Sequence, residues 1–251
     1  MTFATMPIFF FIFLFICVVH KCAGQADEPS DFNVGFDLKF GYGIVAISYS
    51  NGSVAGTAKV ESNEEYRNAF RGMSRQDNWH YTPVYYRQLK RRARKALGLP
   101  ASKDVAAIST LVRDLKAAAE EKIRFNITSA AASIPRIPAV FGEDLSDSFE
   151  YVGIDYLQIM GPQSHIPLLT YESTAALAGH GLAVCPNITN MDQCSNDSLQ
   201  ENYYVVDYTR HSLFTYLTNA QNVYYATETV FFDLDLGSDA RNKNPREEYY
   251  W

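Results

Sequence analysis

An apolar three-strand pattern occurs twice in this chain, and that duplication limits the possible folds more than any other feature. In the first copy, residues 34–40, 42–49 and 53–60 alternate or run apolar and are rich in Val, Ile and Tyr. Asn51-Gly52 between the second and third is a hairpin signal, because both residues tolerate the positive φ of a tight antiparallel turn. The second copy covers residues 202–207, 212–218 and 222–232, with turns expected at Thr209-Arg210-His211 and at Thr218-Asn219-Ala220-Gln221.

Between the two copies the period changes from two to about 3.6. Ser62-Asn63-Glu64-Glu65 reads as a helix start, and residues 85–97 and 103–123 read as helices. In the longer one, Val105, Ile108, Leu111, Val112, Leu115 and Ala119 fall on one stripe. Residues 127–134 are small and apolar up to Pro135, as in a buried central strand. Residues 142–153 read as a helix or capped turn, 156–160 as a short strand and 170–182 as an alanine-rich helix.

The chain has 251 residues, of which 47% are hydrophobic, enough for one sizeable core or two small ones and too many for general disorder. Its net charge of −6 argues against a dedicated nucleic-acid binder. The one basic run, Lys90-Arg91-Arg92-Ala93-Arg94-Lys95, reads as a solvated helix face rather than a nucleic-acid patch.

Residues 7–19 are almost unbroken in apolarity, too short for a comfortable membrane span and suited to a signal-peptide core. Small residues at Ala23, Gly24 and Ala26 offer a cleavage point, although no Lys or Arg precedes the run. An uncleaved signal anchor is the alternative, and only then would the protein be membrane-bound. Either reading sends the body into the secretory pathway, to the endoplasmic reticulum lumen or outside the cell. Removal of residues 1–26 would leave Cys185 and Cys194, which bracket a polar, turn-rich loop. In an oxidising lumen they are expected to form a short disulfide, stabilising by roughly 2–3 kcal/mol. Four Asn-x-Ser/Thr sequons, at Asn51, Asn126, Asn187 and Asn196, fit a glycosylated surface.

Three acidic residues stand out by position. Asp37 ends the apolar segment Val34-Gly35-Phe36-Asp37-Leu38, and Asp207 ends Tyr204-Val205-Val206-Asp207. Glu172 opens the helical segment Glu172-Ser173-Thr174-Ala175-Ala176-Leu177-Ala178. Carboxylates at strand ends around one cleft commonly hold a hydrated divalent cation beside a nucleotide's phosphates. Capping of a helix start is the plainer reading for Glu172 or Ser173.

With those motifs, from about residue 34 onwards, the chain resembles the nucleotide-binding domain of the seventy-kilodalton heat-shock (DnaK-type) chaperones, in the actin-like ATPase superfamily. The resemblance implies an α/β fold: a ribonuclease-H-like first lobe over residues 31–200, the opening β-meander of an incomplete second lobe over 201–236, and a polar tail over 237–251. It implies that Asp37 and Asp207 hold magnesium through water, that Glu172 and Asp207 serve catalysis, and that Asp37, Lys39, Gly41 and Ser212 surround the nucleotide phosphates. Lys39 and Phe40, however, stand with Gly41 where the family has a glycine and two hydroxyl residues. Thr209, Arg210 and His211 replace three glycines of the second phosphate loop, and Phe214 replaces a further aspartate. Phosphate loops present backbone N–H groups at close approach, which glycine permits and bulky residues obstruct.

The expectation is therefore a degenerate, non-catalytic binding or scaffolding module of the secretory pathway, without a bound cofactor. The alternatives are a weak ATPase using ATP and magnesium, and a truncated product with no function of its own. The apolar second meander, with few later residues to cover it, is expected to expose a face for self-association or a protein partner.

Overall fold

The computed structural model describes residues 32–75, 84–157, 159–160, 167–182, 200–221 and 224–243. Three antiparallel strands come first: β1 (Phe32–Leu38), β2 (Tyr42–Tyr49) and β3 (Val54–Glu61). Period-two alternation sends Val34, Phe36 and Leu38 of β1, with Val45 and Ile47 of β2, into the core. At the β2–β3 turn Gly52 takes φ +81°, and the Asn51 side chain accepts a 2.8 Å bond from the Ser53 N–H.

Helices α1 (Glu64–Ser74), α2 (Val84–Ala96) and α3 (Lys103–Ile123) follow. Asn63 caps α1 and Ser102 caps α3, each accepting from a first-turn N–H. The stripe read on α3, from Val105 to Ala119, is buried. Next come β4 (Ser129–Ile134) and α4 (Gly142–Val152), which ends on the left-handed Gly153 (φ +76°). Four two-residue strands, β5 (Asp155–Tyr156), β6 (Ile159–Met160), β7 (Pro167–Leu168) and β8 (Thr170–Tyr171), lead into α5 (Glu172–Gly179).

The main sheet has the order β3-β2-β1-β4-β5, with β4 parallel to β1 and β5 parallel to β4. β8 pairs with the far end of β4. This is the ribonuclease-H-like order of the actin-like ATPase fold. The second meander is β9 (Glu201–Tyr208), β10 (Leu213–Gln221) and β11 (Tyr224–Asp233), in the order β11-β10-β9 and antiparallel throughout.

Several boundaries differ from the sequence reading. The strand expected at 156–160 is split: β5 joins β4, whereas β6 pairs with β7. The helix expected from 170 begins at Glu172, because Thr170 and Tyr171 are drawn into the sheet beside Ser133 and Ile134. The turn expected at 218–221 is strand, since Thr218 and Ala220 are fully buried and pair with Thr227 and Tyr225.

The basic run is exposed at Lys90, Arg92 and Lys95, as read from the sequence, with Arg91 as the exception. Arg91 is buried between α2 and α4, bonded to Asp144 at 2.6 Å and Asp147 at 2.6 Å, and Lys95 reaches Asp147 and Glu150. Acids that α4 supplies 52 to 56 positions later neutralise this charge.

The second meander buries one face and leaves the other open. Phe214 and Tyr216 join the same buried cluster as the first sheet, with Leu234 just beyond β11. The opposite face stays open at Tyr204, Val206, Tyr208 and Phe231. The segment after Gly237 is not only a polar tail either. It forms α6 (Ser238–Lys243), whose first N–H groups donate to the carbonyls of Thr209 and Arg210 at 3.1 and 2.9 Å.

Candidate functional site

Asp37, at the end of β1, Glu172, at the start of α5, and Asp207, near the end of β9, converge on the ammonium of Lys39. The Nζ lies 2.9 Å from Asp207 Oδ2, 3.4 Å from Glu172 Oε1 and 3.7 Å from Asp37 Oδ2. Strand pairing explains the approach of the first-sheet members: β1 lies beside β4, so Ser133 faces Asp37 and donates to its Oδ1 at 2.7 Å. β8 extends the same edge and delivers α5, with Glu172 as its first residue. From the meander, the Tyr216 hydroxyl reaches Glu172 Oε2 at 3.2 Å.

Neither Glu172 nor Ser173 caps α5. The N-cap position is Tyr171, without a side-chain bond, and Glu172 turns into the cluster with only 6% of its surface exposed.

Burial dominates the electrostatics. It pushes the Glu172 carboxyl up to about 8, against the pull of Lys39 and reinforced by Asp37 and Asp207. Asp37 is also raised, chiefly by burial, with Lys39 and the Ser133 bond opposing. Burial alone would lower Lys39, but the fields of Glu172, Asp37 and Asp207 outweigh it and raise the ammonium well above its ordinary value. At neutral pH the cluster therefore holds a firmly charged Lys39 and a largely protonated Glu172.

The residues around these carboxylates do not form phosphate loops. Between β1 and β2, the Lys39 N–H donates to the Tyr42 carbonyl at 2.9 Å, while Ser62 satisfies the carbonyls of Phe40 and Gly41. Phe40 is a core residue, tilted against Phe70 with centroids 5.6 Å apart.

In the β9–β10 turn, the N–H groups of Thr209, His211 and Ser212 all bond within the turn. The Ser212 hydroxyl is committed to Thr209 Oγ1 at 3.0 Å. Phe214 is buried and stacked on Phe232.

The two turns are also pressed together. A Cβ added to Gly41 would lie 1.9 Å from His211 Cδ2. Carboxylate oxygens of Glu61 and Asp239 flank the ring, each 3.5 Å from a ring nitrogen of His211. A Cβ at Gly237 would fall 2.2 Å from the Arg210 carbonyl oxygen, so the start of α6 packs as closely on the other side of the turn.

Magnesium and ATP, the groups that the family resemblance implies, do not fit these residues. Lys39 Nζ fills the space among the carboxylates, and the N–H groups of Lys39, Thr209, His211 and Ser212 are spent on internal bonds. Among the described residues, no group of three His, Cys, Asp or Glu is placed to hold a metal ion directly.

Sequence reasoning brought Asp37, Lys39, Gly41, Glu172, Asp207 and Ser212 to notice, and all six lie in or beside this region. It missed Ser133, Tyr216 and the contact of His211 with Gly41, whose partners are distant in sequence. Cys185, Cys194, Asn187 and Asn196 lie outside the described residues, as does the apolar run 7–19. Asn51 and Asn126 are exposed. Among the described residues no helix is long and apolar enough to cross a membrane.

No family model matches the chain. No curated protein matches it either. Among solved structures, the ethanolamine utilization protein EutJ from Carboxydothermus hydrogenoformans is similar at 16% identity, with a TM-score of 0.46. The match covers 89% of this chain and 58% of that one. Strand order and pairing, rather than that likeness, define the class of this protein: α/β, with the sheet order and following meander of the actin-like ATPase fold.

Proposed function

We propose that this chain is a non-catalytic module on an actin-like ATPase architecture, acting in the secretory pathway by binding or scaffolding. The observation that carries the reading is the packing of His211 on Gly41. The family resemblance implies that these two turns would flank a nucleotide's phosphates, and here the His211 ring packs directly on Gly41. Opening the space would also break the contacts of His211 with Glu61 and Asp239. The apolar run at 7–19 and the four sequons support the compartment.

The surface offered for binding is the outer face of the second meander. Val206, Thr215 and Phe231 are cross-strand neighbours there, and Tyr204, Val206, Tyr208 and Phe231 are 68%, 53%, 56% and 55% exposed. Those four side chains offer on the order of 400 Å² of largely apolar surface, within the range of the largest patch on an ordinary monomer, which is often functional. A second copy of this chain is the simplest occupant.

A weak ATPase is the second reading, favoured by the convergence of Asp37, Glu172 and Asp207. Isothermal titration of the protein with ATP and magnesium separates the two. No saturable heat is expected, and a stoichiometric isotherm would overturn the proposal.

A further inference from the structure

Asp37 of β1 and Asp207 of β9, joined by Glu172 of α5 as it ionises, repel one another unless a cation joins them. The cation present belongs to the chain itself. We propose that Lys39 Nζ is a tethered counter-cation that joins the first sheet to the meander, and that the native protein takes up no divalent cation at this cluster.

The distances of 2.9, 3.4 and 3.7 Å suit an ammonium reaching three carboxylate oxygens at once. Glu172 Oε1 is buried and makes no hydrogen bond of good geometry, so its remaining partner is the charge of Lys39. A hydrated divalent ion would have to expel that ammonium or share the space with it. Sharing is opposed by like-charge repulsion, and expulsion strips a buried cation of its partners. A covalently tethered cation also needs no free ion in solution and is present at high effective concentration. The carboxylates thus keep a structural role while losing a metal one. The inference concerns the same region as the proposed function but stands on Lys39 alone, whatever happens at His211.

The experiment compares melting of native protein, K39M and K39R in EDTA, in millimolar MgCl2 or MnCl2, and in KCl of matched ionic strength. Equilibrium dialysis against Mn2+ runs alongside. Native protein is expected to melt at one temperature in all four solutions and to retain no Mn2+. K39M is expected to melt roughly 10 °C lower in EDTA and to recover part of that loss in MgCl2 or MnCl2 but not in KCl. K39R keeps a cation in place and is expected to stay insensitive to metal.

A native protein that melts lower in EDTA or retains Mn2+ overturns the inference. So does a K39M protein that melts with the native one or ignores both metals. If K39M does not fold, the native and K39R arms decide, and a K39R protein that depends on Mn2+ counts against the proposal. ATP binding by native protein without metal would contradict the proposed function and leave this inference standing. Mn2+ retention without ATP binding would do the reverse.

Discussion

His211 and Gly41 are in van der Waals contact across the two turns that the carboxylates flank, with no room between them for so much as a methyl group. The ring cannot simply swing aside, because a Gly41 Cβ would also lie 2.6 Å from Cγ and 3.0 Å from the Cβ of His211. Gly41→Ala is therefore expected to destabilise by about 1–3 kcal/mol in urea titrations. The double variant with His211→Ala should lose less than the sum of the single losses. Strict additivity would show that the two residues do not press on each other in solution.

Glu172 gives the protein a pH dependence of unusual sign for a carboxylate. Its folded value of about 8 exceeds the ordinary 4.5, so the folded state binds this proton more tightly than the unfolded state does. That stabilisation is complete below pH 4.5 and is lost as the pH rises through about 8. Chemical denaturation across this window should show a loss attributable to Glu172 on the order of a few kcal/mol. Glu172→Gln should flatten the slope, and an unchanged slope in that variant would place the titration elsewhere.

Arg91 should matter far more than its neighbours in the basic run. It is buried against Asp144 and Asp147, and removing it leaves carboxylates without their partner. Arg91→Ala is expected to cost about 3–5 kcal/mol. Arg92→Ala, at an exposed position of the same helix, should stay within about 0.5 kcal/mol of native. Equal effects in thermal denaturation would contradict the packing of α2 on α4.

The open face of the meander predicts association that depends on concentration. Sedimentation velocity over micromolar concentrations should show native protein self-associating and the Val206→Lys/Phe231→Glu variant remaining monomeric, because the pair places charges on adjacent strands of the patch. A native monomer throughout the range would remove a second copy as the occupant.

Much of this architecture is legible in the sequence because its signals are local. Alternation in β1 and β2, Asn51-Gly52 at the hairpin and the stripe from Val105 to Ala119 each act within a few residues. The site was legible only as a set of residue types. Lys39 can be read as a spare positive charge near Asp37, but its 2.9 Å bond to Asp207 spans 168 positions, and nothing local records that distance. Within the basic run only Arg91 departs from the solvated face for the same reason, since Asp144 and Asp147 reach it only once α4 packs on α2. Residues 218–221 carry turn-like composition, yet burial of Ala220 beneath the meander outweighs local propensity. Phe40 and Phe214 read as lost loop chemistry, whereas the fold uses both as core.

The most direct test of the central proposal, that this site receives no nucleotide, is the melting temperature of the native protein against increasing ATP with magnesium. A ligand that binds the folded state at a hundred times its dissociation constant adds about 2.7 kcal/mol of stability, enough to move the transition by several degrees. With His211 on Gly41 and Lys39 among the carboxylates, the transition is expected not to move at any nucleotide concentration. A saturable rise with ATP, absent in a matched salt control, would contradict the account.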